Sequence, residues 1–185
     1  MRSALFWACL LFGGCVAIEA QQEPAAAILT GGAFHLSGRV SVKYGTEAAS
    51  GRISWQHDAG GDDLLFSDPL GQGVARVVWR DAVASLTTAD QKHYQASDVE
   101  TLTERVLGWR LPLAGMPDWV RGRAAAGAPA QTQLDALQRL AQLRQSGWLV
   151  EFLDYANQSG LPSRLRMSWQ DVELRLVIDQ WQDAP

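Results

Sequence analysis

The sequence predicts a mainly β fold with short helices, laid out as an antiparallel meander. Three observations carry that expectation. From Phe34 onward, apolar and polar residues alternate along most runs, which gives each strand one buried and one wet face. Turn residues break those runs at intervals too short for helical crossovers, which argues against a parallel α/β sheet. Helix signals are clearest in two short stretches, near Ser97 and Met116. The chain has 185 residues, 47% of them hydrophobic, and a formal net charge of −4. That is one domain's worth of sequence, with enough apolar material for a substantial core. The acidic balance, with no basic stripe along the chain, argues against a nucleic-acid partner.

The N-terminus reads as an address. Met1-Arg2 is a short positive start, and Ala4–Phe12 (ALFWACLLF) is an uncharged apolar run too short to span a bilayer. Gly13-Gly14 then supply small residues directly before Cys15. Residues 1–14 are therefore expected to be a signal peptide. Small residues followed by Cys resemble the lipobox of bacterial lipoproteins, where that Cys is diacylated and becomes the mature N-terminus. Phe12 stands where Leu is usual, and Cys9 is the poorer candidate because Phe6 and Trp7 closely precede it. The alternative is an ordinary cleaved secretory signal. Cys9 and Cys15 are the only cysteines, so cleavage before Cys15 leaves one thiol and excludes a disulfide framework or a cysteine metal cluster. Val16 follows in place of an Asp, which favours the outer membrane over the inner. Residues 15–33 lack clear periodicity and read as a lipidated tether, followed by a folded domain over 34–183.

Phe34, Leu36, Val40, Val42 and Tyr44 alternate with polar neighbours, and Gly38 marks a bend or bulge. Ile53 and Trp55, then Leu64 and Phe66, continue the pattern. Ala75, Val77 and Trp79 follow, and then Ala84 and Leu86. Ser97-Asp98-Val99-Glu100 has the form of a capping box with Ser97 as N-cap, opening a helix that Gly108 stops. A second helix is expected over Met116–Arg121, with Pro117 suited to its first turn. Gln131–Gln145 is ambiguous. Leu134, Leu137 and Ala141 fit a helix, yet Ser146-Gly147 looks like a hairpin turn before a strand over Trp148–Tyr155, which would make Arg139–Gln145 its first strand. Leu165, Met167 and Trp169, then Leu174, Leu176 and Ile178, give the closing strands.

One turn stands out. In Asp68-Pro69-Leu70-Gly71 the Asp, Pro and Gly occupy the first, second and fourth positions that a type I turn favours. Leu70 is left near the tip of a hairpin. Such a leucine either folds back onto its own sheet or reaches out to something apolar.

A lipidated Cys, a β meander and the Asp-Pro-Leu-Gly turn come in that order. A Trp on a short helix after Leu111-Pro112-Leu113 follows, and then a closing Arg175-Leu176-Val177-Ile178-Asp179-Gln180-Trp181. Together, from about Phe34 to Gln182, they resemble the LolB family of outer-membrane lipoprotein receptors. The resemblance implies an incomplete, half-open antiparallel β-barrel whose apolar cavity is covered by a helical lid. It implies a lipid-anchored protein on the periplasmic face of the outer membrane. Such a protein accepts client lipoproteins from the soluble carrier LolA and inserts them into that membrane. It assigns Cys15 to lipidation and Leu70 to the insertion step, favours a strand for Arg139–Gln145, and implies no enzyme activity and no cofactor. A monomer is expected.

The physical chemistry fits that job. Each methylene taken out of water is worth about 0.8 kcal/mol, so a long acyl chain left in water costs on the order of 10 kcal/mol. Transfer between two similar apolar cavities cancels most of that cost, and about 1.4 kcal/mol of difference gives a tenfold bias without a nucleotide. No phosphate-binding glycine loop occurs in the sequence. The candidate lining is Phe34, Leu36, Val40, Val42, Ile53, Trp55, Leu64, Phe66, Val77, Trp79 and Leu86, each of which would also serve as ordinary core. The enzyme alternative finds little support: His35, His57 and His93 are scattered, no pair has metal-ligand spacing, and no nucleophile elbow is present. A ligand-free envelope scaffold and a soluble carrier are the remaining readings. An acylated Cys disfavours the carrier.

Overall fold

A computed structural model describes residues 32–183, so the signal peptide, Cys15 and the tether up to Gly31 lie outside the described residues. Six strands come first: β1 (Phe34–Tyr44), β2 (Glu47–Asp58), β3 (Gly61–Ser67), β4 (Gly73–Arg80), β5 (Val83–Thr88) and β6 (His93–Ala96). Two helices, α1 (Val99–Leu107) and α2 (Met116–Trp119), separate them from β7 (Ala130–Leu134), β8 (Leu140–Gln145), β9 (Trp148–Tyr155), β10 (Pro162–Trp169) and β11 (Val172–Asp183). Each group is a meander, and antiparallel pairing of β1 with β11 joins them into a single sheet of order β6-β5-β4-β3-β2-β1-β11-β10-β9-β8-β7. The sheet does not close on itself, since β6 and β7 remain at its two edges. This is the half-open barrel that the sequence led us to expect.

The alternation in the sequence becomes the two faces of the sheet. Leu36, Trp55, Leu64, Val77, Leu86, Leu165 and Leu176 are fully buried on the inner face, while their neighbours along each strand are wetter. Gly38 sits at a break in the β1–β11 register, where a Cβ would run into the carbonyl oxygen of Val177. Any larger residue would push the two central strands apart at that bend. The helices fill the concave side. Val99 and Leu102 of α1, Trp109, Leu111 and Leu113 of the connection, and Met116 and Trp119 of α2 all enter the same apolar cluster.

Two local expectations need correction, and the ambiguity over Gln131–Gln145 is resolved. The N-cap of α1 is Asp98 and not Ser97: its carboxylate accepts from the backbone N–H of Thr101 at 2.6 Å. Either residue type can cap, and the first buried apolar residue, Val99, directly follows Asp98. Gly108 does end the helix, in the left-handed conformation at φ 84°. The second helix stops at Trp119 and does not reach Arg121. Gln131–Gln145 is not a helix but the β7–β8 hairpin, with Leu143 of β8 buried against the rest of the core. Pairing with β9 overrides the local helix propensity. β6 was not foreseen from the sequence at all.

Candidate functional site

Lid and sheet leave a small apolar recess between them. Its volume is about 180 Å³, and Val40, Val42, Tyr44, Phe66, Leu107 and Trp109 supply its apolar walls. Phe66 meets Trp109 edge-on, with ring centroids 6.5 Å apart. Of the expected lining, Val40, Val42 and Phe66 face this recess. Trp79 faces a different, more polar cleft of about 450 Å³ between α1, α2 and the start of β3, which Asp98, Glu100 and Arg121 also line. Phe34, Leu36, Ile53, Trp55, Leu64, Val77 and Leu86 are packed in the core under the lid. At about 30 Å³ per water-sized group, the recess has room for roughly six such groups, less than a long acyl chain requires. Tyr44, Leu107 and Trp109 were missed as lining because the sequence gives no measure of where the lid rests.

The lid is pinned by buried polar groups. Thr103 of α1, fully buried, donates through its hydroxyl to the Val99 carbonyl at 2.9 Å and accepts from the Leu111 backbone N–H at 3.0 Å. Gln145 of β8 accepts from Trp119 Nε1 at 2.8 Å and from the Ala125 N–H at 2.9 Å, and it donates to the carbonyls of Ala125 and Ala128. A single side chain thereby holds α2 and the Ala-rich stretch after it against the sheet. At the polar cleft, Asp62 is buried and accepts from Trp55 Nε1 and His57 Nδ1, each at 2.8 Å. Arg121 stacks over the Phe34 ring at 4.5 Å and donates to the carbonyl of Gly32. The chain therefore enters the domain beside this cleft.

At the other end of β3 stands the hairpin tip. The Gly71 N–H donates to the Asp68 carbonyl at 3.0 Å, and the Asp68 N–H donates to the Gln72 carbonyl at 2.8 Å. The Asp68 carboxylate also accepts from the N–H groups of Leu70 and Gln72. Gly71, at φ 89°, completes the turn in the left-handed region, with open space where a Cβ would stand. Leu70 does not fold back: it is 87% exposed. The turn's hydrogen bonds come from the backbone and Asp68, so none of them needs a leucine there. At the foot of the tip, three arginines from distant parts of the sequence converge on the outer face. Arg39 lies directly across from Arg52, and Arg175 is on the adjoining strand. No basic run in the sequence signals this cluster, because only the strand register assembles it.

A family model described as "Outer membrane lipoprotein LolB" matches residues 32–181. The chain belongs to the LolB family. Curated relatives agree. The outer-membrane lipoprotein LolB of Pseudomonas aeruginosa is 41% identical over 152 residues, covering 81% of this chain and 74% of the relative. That of Thiobacillus denitrificans is 38% identical over 183 residues, covering 99% and 96%. Among solved structures, a LolA superfamily protein from Nitrosomonas europaea superposes with a TM-score of 0.53 at 11% identity, covering 83% of this chain and 88% of that one. A DUF1329 family protein from Desulfovibrio piger gives 0.51 at 7% identity, over 82% and 85%. These two likenesses concern the fold alone. As a LolB-family member the chain is an outer-membrane lipoprotein on the periplasmic face, a non-enzymatic receptor that takes lipoproteins from LolA. The enzyme, scaffold and soluble-carrier readings are set aside with that membership.

Proposed function

We propose that this LolB-family chain holds the acyl chains of its clients between the inner face of the sheet and the lid, and passes them into the outer membrane with Leu70 leading. The observation that carries the reading is the exposed Leu70 on a turn that is fully hydrogen-bonded without it. The β5–β6 turn makes the comparison inside the same molecule. Gln91 N–H donates to the Thr88 carbonyl and Thr88 N–H to the Lys92 carbonyl, the same backbone pattern, with Asp90 where Leu70 stands. The turn geometry accepts a carboxylate, so the leucine serves something other than the turn.

The recess bounded by Val42, Phe66 and Trp109 is where acyl chains begin to enter, and α1 must move outward to admit their full length. Burial of the chains then replaces the apolar contacts that α1 gives up, so the opening has a small net cost. Cys15 carries the lipid anchor, and the chain works as a monomer. Of the arginines behind the tip, Arg39 and Arg175 are paired with Asp179 and Glu173, so Arg52 supplies most of the pull on anionic headgroups at the moment of contact.

Substitution of Leu70 separates the two stages. Leu70→Glu removes apolar area only at the tip and leaves the cavity untouched. Uptake of lipoprotein from a LolA-type carrier is expected to stay normal, while delivery to liposomes falls by at least tenfold. Normal delivery by this variant would reduce Leu70 to a turn residue.

A further inference from the structure

The β7–β8 hairpin repeats the Leu70 tip bond for bond. The Gln138 N–H donates to the Asp135 carbonyl at 3.0 Å, and the Asp135 N–H donates to the Arg139 carbonyl at 2.8 Å. The Asp135 carboxylate accepts from the N–H groups of Leu137 and Arg139, at 2.8 and 2.9 Å. Gln138 takes the left-handed conformation at φ 61°, as Gly71 does. The third residue is again a leucine, and Leu137 is 71% exposed, with Leu134 beside it at 52%. Because the β5–β6 turn carries Asp90 at this place, neither leucine is a requirement of the turn. Leu134 and Leu137 together give this hairpin an apolar tip, a surface suited to contact with an apolar phase.

Strand register places the two leucines at opposite ends of the sheet. Leu70 caps the end where β1 finishes at Tyr44 and β8 meets β9. Leu137 caps the end where β1 starts: Phe34 pairs with Asp183, the start of β10 pairs with the end of β9, and the Tyr155 hydroxyl donates to the Leu140 carbonyl beside the Leu137 turn. The chain enters the domain at this same end, with Gly32 held by Arg121. Cys15, read as the lipid anchor, is separated from Gly32 by 32 − 15 = 17 residues.

We infer that Leu137 is a second bilayer contact, which seats the tether end of the domain on the membrane before a client arrives. The occupant is the bilayer because the anchor, attached through Gly32, draws this end of the molecule toward the lipid. A span of 17 residues reaches at most about 60 Å, more than the roughly 40 Å diameter of a domain this size. The anchored domain therefore has slack enough to turn over and present Leu70 for delivery. The inference borrows its logic from the reading of Leu70 but not its outcome, because the two tips are probed at separate positions.

The test uses the full-length, acylated protein on vesicles of phosphatidylethanolamine and phosphatidylglycerol, with Leu137→Cys carrying a nitroxide. With no client or carrier present, the label should gain accessibility to oxygen and lose accessibility to a water-soluble nickel chelate, by at least severalfold relative to the protein in solution. The same label at Asp90→Cys, on the opposite end, should stay in water. Both sites are exposed, so neither substitution threatens folding, and melting curves confirm this. A Leu137 label that remains fully water-accessible on vesicles overturns the inference. So does one that becomes shielded only when the LolA-type carrier is added, since the tip then belongs to the carrier. Loss of delivery in Leu70→Glu, or its absence, leaves this measurement unaffected.

Discussion

Gln145 is a polar side chain only 2% exposed in an otherwise apolar layer, and it persists because each of its bonding groups is used. Its carbonyl oxygen serves the Trp119 indole and the Ala125 N–H, and its amide nitrogen serves two backbone carbonyls. Leucine at this site would leave four partners without these hydrogen bonds, and the Trp119 indole N–H among them is buried, at about 1–3 kcal/mol for a buried group and less for the partly exposed ones. We expect Gln145→Leu to lose roughly 3 kcal/mol or more of stability in denaturant unfolding, with release of the Trp119 region visible as a change in tryptophan fluorescence. A loss below about 1 kcal/mol would mean that water takes over those bonds. Nothing in the sequence marks Gln145 as special, since it sits in a run that reads equally as helix. Leu70 is the opposite case. Its turn chemistry was legible residue by residue, and its protrusion follows from bonds that Asp68 makes locally.

Helix α1 joins the lid to the polar cleft. Its first turn carries Glu100, whose carboxyl is held above the ordinary value by burial first and by the neighbouring Asp98, against the pull of Arg110. The folded protein therefore holds a proton at Glu100 more readily than the unfolded chain does. Relative to Glu100→Gln, the wild type should gain stability as pH falls through the raised folded-state pKa, with the gain complete below the ordinary value of 4.5. Melting curves of both proteins at pH 7 and pH 4 check this, and a gap that does not change with pH would contradict it. Elements with one buried face were legible from the sequence. β1 and β4 have the bounds or alternation that the pattern implies, and the bulge falls at Gly38. β7, with every residue exposed, and the short edge strand β6 carry little hydrophobic period, so only their pairing partners define them. That is also why the repeat of the Asp-x-Leu pattern at Asp135 and Leu137 went unread: the segment's helical propensity hid the hairpin.

At the scale of the whole molecule, an unclosed sheet whose inner face is covered by two short helices suits a protein that receives an apolar load. The inner face was readable as an alternation, but its division into packed core and small recess was not, because that depends on the position of α1 and Trp109. The two ends of the sheet differ in the same way. One receives the tether and the other carries Leu70. The central claim is that residue 70 enters the bilayer as the client leaves. A fluorophore sensitive to polarity, attached at Leu70→Cys, can be followed while client-loaded protein meets vesicles whose acyl chains bear a quencher. The account predicts a blue shift and quenching in step with lipoprotein transfer; transfer that proceeds while the label remains in water would contradict it.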